Sequence, residues 1–456
     1  MAAFQKFYEK HSGKQWLAWF WVPTLYFAEG IPYFLVNNIS VMMFAKMGVP
    51  NGQLAFFTTL LYFPWFLKGL WSPIVDVVKT KRWWITAMQI LMVAAMVLLT
   101  VTLPKPSAEL IASGETSASV FTFTLLLFIL TAFASATHDI AADGFYMLAH
   151  DQSSQAAFIG IRSTFYRISS VFGQGVLVFI AGVVEKKTAE ASPDGVADIP
   201  FSWQVTLGVC AVVFAIVTLY HVFALPKSKD DKPRVSADGK GSGSWAEIGQ
   251  SFASFFKKKG VWLAIAFMLL YRLPEGFLIK MCQPFLVAKD GLNLPTEMVG
   301  IVYGTFGVIA LLAGGVVGGL VASRLGLKKS LWWMALGMTL PCLTFVYLAM
   351  AVPTDPVVIT AALAIEQFGY GFGFTAYMLY MMYFSEGEFK TSHYAICTAF
   401  MALSMMLPGF VAGFIQEAIG YVWFFWMVML CCVATVTVTF LAERKVDPEY
   451  GKKKIK

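Results

Sequence analysis

The chain has 456 residues, of which 58% are hydrophobic and only 13% charged, with 34 Lys and Arg against 27 Asp and Glu for a net charge of +7. A soluble domain carries roughly a quarter of its residues as charges, and here hydrophobic segments recur down the whole length, which excludes a soluble domain with one anchor. The positive balance is sorted by side along the chain, so it is a topology signal and does not imply nucleic acid.

The first apolar run is too long for a cleavable signal, contains Glu29 and is followed by no small-residue cleavage site, so it is expected to stay in the protein. Crossing a bilayer takes about 20 apolar residues. Twelve spans are predicted at 16–43, 52–77, 83–103, 119–148, 156–184, 201–225, 260–288, 298–323, 331–351, 357–384, 394–416 and 421–442. Of the 34 Lys and Arg, five lie in one alternate set of loops (Lys46, Lys105, Lys186, Lys187, Lys289), five lie within spans and the remaining 24 lie in the other set with both tails. Both termini are therefore expected in the cytoplasm. The six cysteines, all in apolar stretches, have no metal-site spacing and are read as packing residues.

The domain reading is an N-terminal six-helix bundle over 1–225, a cytoplasmic linker over 226–259 and a C-terminal six-helix bundle with a basic tail over 260–456. Residues 226–243 are polar and Gly/Ser-rich and are read as disordered. Residues 244–259 are read as an amphipathic surface helix. The halves echo each other. Span 1 has Tyr26 before Glu29-Gly30, and span 7 has Tyr271 before Glu275-Gly276. Basic residues precede Trp83-Trp84 in one half and Trp332-Trp333 in the other. The distance from Gly30 to Trp83 is 53 residues, and from Gly276 to Trp332 it is 56. Two parallel six-helix repeats follow.

Ionisable side chains inside a bilayer are costly and face the bundle interior or a wet cavity. Spans 1, 4, 7 and 10 carry Glu29, Asp139 with Asp143, Glu275 and Glu366. Spans 3, 6, 9 and 12 carry no Asp, Glu, Lys or Arg. This pattern resembles that of the major facilitator fold, in which helices 1, 4, 7 and 10 line a central cavity and 3, 6, 9 and 12 face lipid, and the resemblance implies an all-α membrane protein with twelve helices in two bundles around such a cavity. The cations within spans are Lys68, Arg162, Arg167, Arg272 and Lys280. Counted at ~1.5 Å per residue from the loop between spans 4 and 5, Asp143 lies ~9 Å deep and Arg162 ~10 Å, while Asp139 lies ~15 Å deep and Arg167 ~18 Å. Depth thus pairs Asp143 with Arg162 and Asp139 with Arg167. Asp139 and Asp143 share one helix face. Two close carboxylates do not both ionise cheaply, so one can hold a proton. A structural salt-bridge network is the alternative.

Polar stripes mark a candidate cavity. Tyr26, Glu29, Tyr33 and Asn37 line one face of span 1. Arg272, Gly276, Lys280 and Gln283 lie close to one face of span 7. Glu366, Tyr370, Tyr377 and Tyr380 follow one face of span 10. A metal or acid–base site built from His138, Asp139, Asp143 and His150 is disfavoured, because His138 points about 100° away from Asp139.

Three stretches resemble the AmpG-type muropeptide permeases, a family related to the acetyl-CoA transporters. They are Phe27-Ala28-Glu29-Gly30-Ile31-Pro32, the run Phe63-Pro64-Trp65-Phe66-Leu67-Lys68-Gly69-Leu70-Trp71-Ser72-Pro73-Ile74-Val75-Asp76, and Ala136-Thr137-His138-Asp139-Ile140-Ala141-Ala142-Asp143-Gly144. His138 stands where the family has Gln, and the tyrosine after the second Asp is displaced to Tyr146. The resemblance implies proton-driven import of peptidoglycan fragments across a bacterial inner membrane, without a cofactor, by a monomer. It places the coupling proton on Asp139 and Asp143, with Glu29, Glu275 or Glu366 as alternatives. The substrate's carboxylate is expected to meet Arg162, Arg167, Arg272 and Lys280. Tyr26, Tyr33, Asn37, Lys68, Tyr166, Gln283, Tyr370 and Tyr377 complete the expected binding set. Asp76, with Arg82 and Arg324, is expected at a cytoplasmic gate. Rival readings are a carrier for another anionic ligand, such as a coenzyme A thioester or an oligosaccharide, and a membrane sensor that binds without transport.

Overall fold

The computed structural model describes residues 15–149, 161–162, 164–227, 231, 252–387 and 390–450, and among them the regular structure is entirely helical. Among the described residues, nine helices are long and apolar enough to cross a membrane. They are α3 (Lys81–Thr102), α4 (Ala118–Tyr146), α5 (Thr164–Ala191), α6 (Ile199–Ala224), α7 (Val261–Val287), α8 (Thr296–Ala322), α9 (Arg324–Ala351), α10 (Pro356–Ser385) and Ile396–Glu443. The last is two arms, α11 and α12, joined at Gly420, whose φ of 74° only glycine adopts without strain. Before these come α1 (Val22–Phe34 continuing to Ser40–Lys46) and α2 (Asn51–Leu60, then Phe63–Val77). The order fills the twelve predicted segments.

The chain divides into two compact units: Met1–Met43 with Leu61–Ser242, and Phe44–Leu60 with Gly243–Lys456. The predicted boundary at 225 put all of α2 in the first bundle, whereas its first turns belong to the second unit. The cause is local. A Cβ on Gly413 would lie 1.9 Å from the Asn51 carbonyl oxygen, so glycine lets Asn51–Leu60 sit directly on α11. Asn51 Nδ2 donates to Gln416 Oε1 at 2.7 Å and the Gly52 N–H donates to Glu417 Oε1 at 2.7 Å.

In the first unit, the Gly30 of the Glu-Gly motif faces α5, where an added Cβ would strike Ser169 Oγ at 1.8 Å. In the second unit, Gly276 faces α11, where it would meet Pro408 at 2.8 Å and the Ser404 carbonyl at 3.1 Å. The repeated glycine thus serves the same close approach, first helix to fifth, in each repeat. Pro274 removes the N–H that would bond the Leu270 carbonyl, and the Thr435 hydroxyl of α12 donates there at 3.3 Å and to Tyr271 O at 3.0 Å.

The charge-free helices expose apolar faces: Ile90, Val97 and Val101 on α3, Val212, Ile216 and Leu219 on α6, and Leu430 and Val433 on α12. Such continuous apolar surface suits lipid and not water. The cysteines are free, and all but Cys431 are buried. Of the linker residues read as disordered, Asp231 is ordered and buried. Its carboxylate caps α3, accepting from Lys81 N at 2.7 Å and Arg82 N at 3.0 Å. Of the expected surface helix, residues 252–256 are helical, with Phe255 buried between Phe252 and Phe256, which are exposed. Its earlier residues lie outside the described ones.

Candidate functional site

Four elements of the first unit converge on three acids. Helix α4 presents Asp139 and Asp143 one turn apart on the same face, and α1 presents Glu29. Oxygens of Glu29, Asp139 and Asp143 all lie within 4.8 Å of one another. Lys68 of α2 pairs with Asp139. Arg162, just ahead of α5, pairs with Asp143. The Tyr26 hydroxyl donates to Asp143 Oδ1 at 3.0 Å. Arg162 also lies over the Tyr26 ring at 4.1 Å and the Tyr146 ring at 4.6 Å, a cation–π sandwich that holds its orientation. Glu29 Oε2 is buried without a hydrogen-bond partner among the described residues. Among the described residues the three carboxylates meet two ion-paired cations, Lys68 and Arg162, which leaves one acid more than bases. The Lys68 side chain is 40% exposed and that of Asp143 44%, so the cluster is open to exchange and not sealed in packing.

Depth arithmetic assigned Asp139 to Arg167, but its ion pair is with Lys68. That arithmetic compared only two helices joined by a loop. The partner comes instead from α2, whose Trp71 Nε1 donates to Thr137 Oγ1 at 3.1 Å and fixes the register of α2 against α4. His138 faces the other way. Gln89 bridges His138 Nε2 at 3.0 Å and His221 Nδ1 at 2.9 Å, and His221 Nε2 reaches Thr24 Oγ1 at 3.0 Å. The chain ties α4, α3, α6 and α1 together behind the carboxylates and takes His138 out of any shared site with Asp139. His150 lies outside the described residues.

Two π-helical turns flank the cluster, Leu35–Ile39 in α1 and Val171–Leu177 in α5. Such turns recur at functional positions. They are joined by Asn38 Nδ2 donating to Gln174 Oε1 at 3.1 Å, a pair the sequence reading did not single out. Asn37 is buried; its Nδ2 donates to Tyr33 O at 3.1 Å and its Oδ1 has no partner. Tyr33 packs on Trp65 at 5.2 Å and on Tyr166 at 6.2 Å.

The second unit holds the other two acids, Glu275 and Glu366. Arg272 forks onto Glu275 (Nε to Oε2 and Nη2 to Oε1, each 3.0 Å) and also donates to the Tyr370 hydroxyl at 3.0 Å. Its guanidinium lies 4.8 Å from the Phe374 ring and 5.6 Å from that of Tyr377. In this structure its charge is matched by Glu275. Tyr377 is fully buried, its ring stacks on Tyr271 at 5.6 Å and its hydroxyl donates to Met268 O at 2.7 Å. It is core between α7 and α10. Glu366 accepts from Gln367 Nε2 at 2.8 Å. Lys280 and Gln283 are both buried on α7. Arg82 donates to Leu225 O at 3.1 Å and Val222 O at 2.8 Å, so in this structure it caps α6. Arg324 is exposed at the start of α9. The side chain of Asp76 lies outside the described ones.

The Major Facilitator Superfamily matches residues 24–389 of this chain. The chain belongs to that superfamily. It is accordingly a multi-pass membrane transporter and not an enzyme. Among its relatives is a Rickettsia conorii protein carrying the transporter name AmpG 4, 25% identical over 428 residues that span 92% of this chain and 95% of that one. An anhydromuropeptide permease of Escherichia coli K12 is 23% identical over 406 residues, 88% of this chain and 74% of that one. The fold of this superfamily member is similar to that of a D-xylose–proton symporter, with TM-score 0.71 at 11% identity over 96% of this chain and all of the other. It is similar as well to a nucleoside transporter, with TM-score 0.67 at 16% identity over 93% and 98%.

Proposed function

We propose that this transporter imports peptidoglycan fragments, anhydro-N-acetylmuramic acid units with or without peptide, from periplasm to cytoplasm, and that inward proton flow drives it. It works as a monomer with both termini in the cytoplasm. The observation that carries the coupling is the excess of one carboxylate in the Glu29–Asp139–Asp143 cluster. Asp139 and Asp143 have cation partners, so Glu29 is the group whose protonation balances the site. The substrate class rests on similarity to relatives named for anhydromuropeptide and AmpG transport.

The chemistry follows from these groups. With Glu29 ionised, the cluster carries one net negative charge in a low-dielectric surround, and rearrangement of the bundle around it is costly. A proton cancels that charge. The test is uptake of labelled anhydro-N-acetylmuramic acid into proteoliposomes under an imposed inward proton gradient. Wild type should accumulate the label above the outside concentration. Asp143→Asn should not, but it also strands Arg162. Glu29→Gln leaves both ion pairs in place and should abolish accumulation while keeping solute exchange. Accumulation driven equally well by a sodium gradient, or preserved in Glu29→Gln, would overturn the proton assignment.

A further inference from the structure

Lys280 stands in a different position from three of the other four cations of the membrane helices. Lys68, Arg162 and Arg272 each have a carboxylate partner. Lys280 is 8% exposed, in the second half of α7, and no ion pair or hydrogen bond engages its ammonium among the described residues. A buried ammonium without a counter-ion is expensive and is retained where something outside the fold supplies the anion. A second observation points the same way. Gln283 is 4% exposed, one turn along the same helix, and its buried Oε1 has no donor among the described residues. Pro284 follows and removes the N–H that would bond the Lys280 carbonyl. One turn of α7 therefore presents a cation, an unfilled amide acceptor and a loosened backbone carbonyl.

We propose that this turn is a recognition subsite, in which the Lys280 ammonium receives the carboxylate of the transported solute and Gln283 Oε1 accepts an amide N–H beside it. The solute class is a carboxylate-bearing N-acyl compound. This rests on the transport reading above and narrows it: of the expected cations, Arg162 and Arg272 are already engaged by Asp143 and Glu275. Arg167 is the less buried of the remaining two. A compact point charge on a flexible stem follows a carboxylate through a range of poses, which suits a solute that must bind and leave.

Two measurements on the full chain test it. In proteoliposomes, half-saturation is compared for anhydro-N-acetylmuramic acid and for the same sugar with its carboxylate converted to the methylamide. Wild type should prefer the acid by about tenfold or more, the weight of one charge-assisted contact. In Lys280→Gln the two should fall within about twofold of each other. A preference that survives in Lys280→Gln overturns the proposal. In the second measurement, unliganded Lys280→Met is melted in detergent and should melt at or above wild type, because it removes an uncompensated charge. A fall of more than about 5 °C would show the lysine to be structural and would also overturn it. Uptake of neither sugar by wild type sinks the muropeptide reading, and the melting comparison then decides Lys280 alone.

Discussion

Lys68, Arg162 and Arg272 each face a carboxylate, yet their removal should cost different amounts. Glu275 keeps only 4% of its side chain exposed, so Arg272→Met strands a carboxylate in packing; a loss of about 3–5 kcal/mol is expected. Asp143 is 44% exposed, so Arg162→Met leaves a charge that water can still reach, and the thermal midpoint should fall much less. Melting both variants side by side checks the order. Tyr377→Phe separates core from cavity in the same way. It removes one hydroxyl bonded to Met268 O, so about 1 kcal/mol of stability should go while half-saturation for solute stays unchanged. A rise in half-saturation would return Tyr377 to the binding surface. At this scale the sequence was legible where two residues flank one short loop, as Asp143 and Arg162 do. It was opaque for Lys68 and Asp139, which are brought together by α2 packing on α4. Periodicity alone likewise does not tell an aromatic stripe that lines a cavity from one that fills a core: Tyr370 and Tyr377 fall on one predicted face, and only one has its hydroxyl on a charged side chain.

At the scale of helices, the small residues set how closely neighbours approach, and what each glycine meets decides whether its replacement is reparable. A Cβ on Gly30 strikes the end of a side chain, Ser169 Oγ. Gly30→Ala should therefore melt low and regain part of the loss in Gly30→Ala/Ser169→Ala. Gly371 meets the backbone oxygen of Leu311 at 2.0 Å, where α10 crosses α8. No side-chain change relieves that contact, so Gly371→Ala should stay destabilised whatever is paired with it. Failure of the Ser169 rescue would show that α1 and α5 are held apart by more than this one atom. The Glu-Gly repeat that hinted at two parallel halves was readable because it reports this contact twice. The assignment of Asn51–Leu60 to the second unit was not, because hydrophobic length marks a span and not the neighbours it chooses.

For the whole molecule, spans and their order came from hydropathy; apolar faces are exposed on the charge-free helices and also on charge-bearing ones, as Phe123, Leu126 and Leu130 of α4 show, so exposure alone does not sort the two kinds. The linker was harder, since a polar stretch offers no sign that one of its residues is a cap. Asp231 satisfies two N–H groups at the start of α3, and Asp231→Ala should cost the first unit about 1 kcal/mol, read as an earlier melting transition. Uptake should quicken as the outside is acidified at constant internal pH, because the loaded form of the cluster holds one more proton.

If the proposed one-proton cycle holds, the three-to-two balance of acids and bases also has a consequence for what kind of battery can run it. One proton travelling with one singly charged carboxylate moves no net charge across the bilayer. Each elementary charge would otherwise feel about 2.3 kcal/mol per 100 mV. Uptake of the acid is then indifferent to an electrical potential set with potassium and valinomycin, and it collapses when nigericin dissipates the pH difference. The methylamide, carried with the same proton, would become voltage-driven.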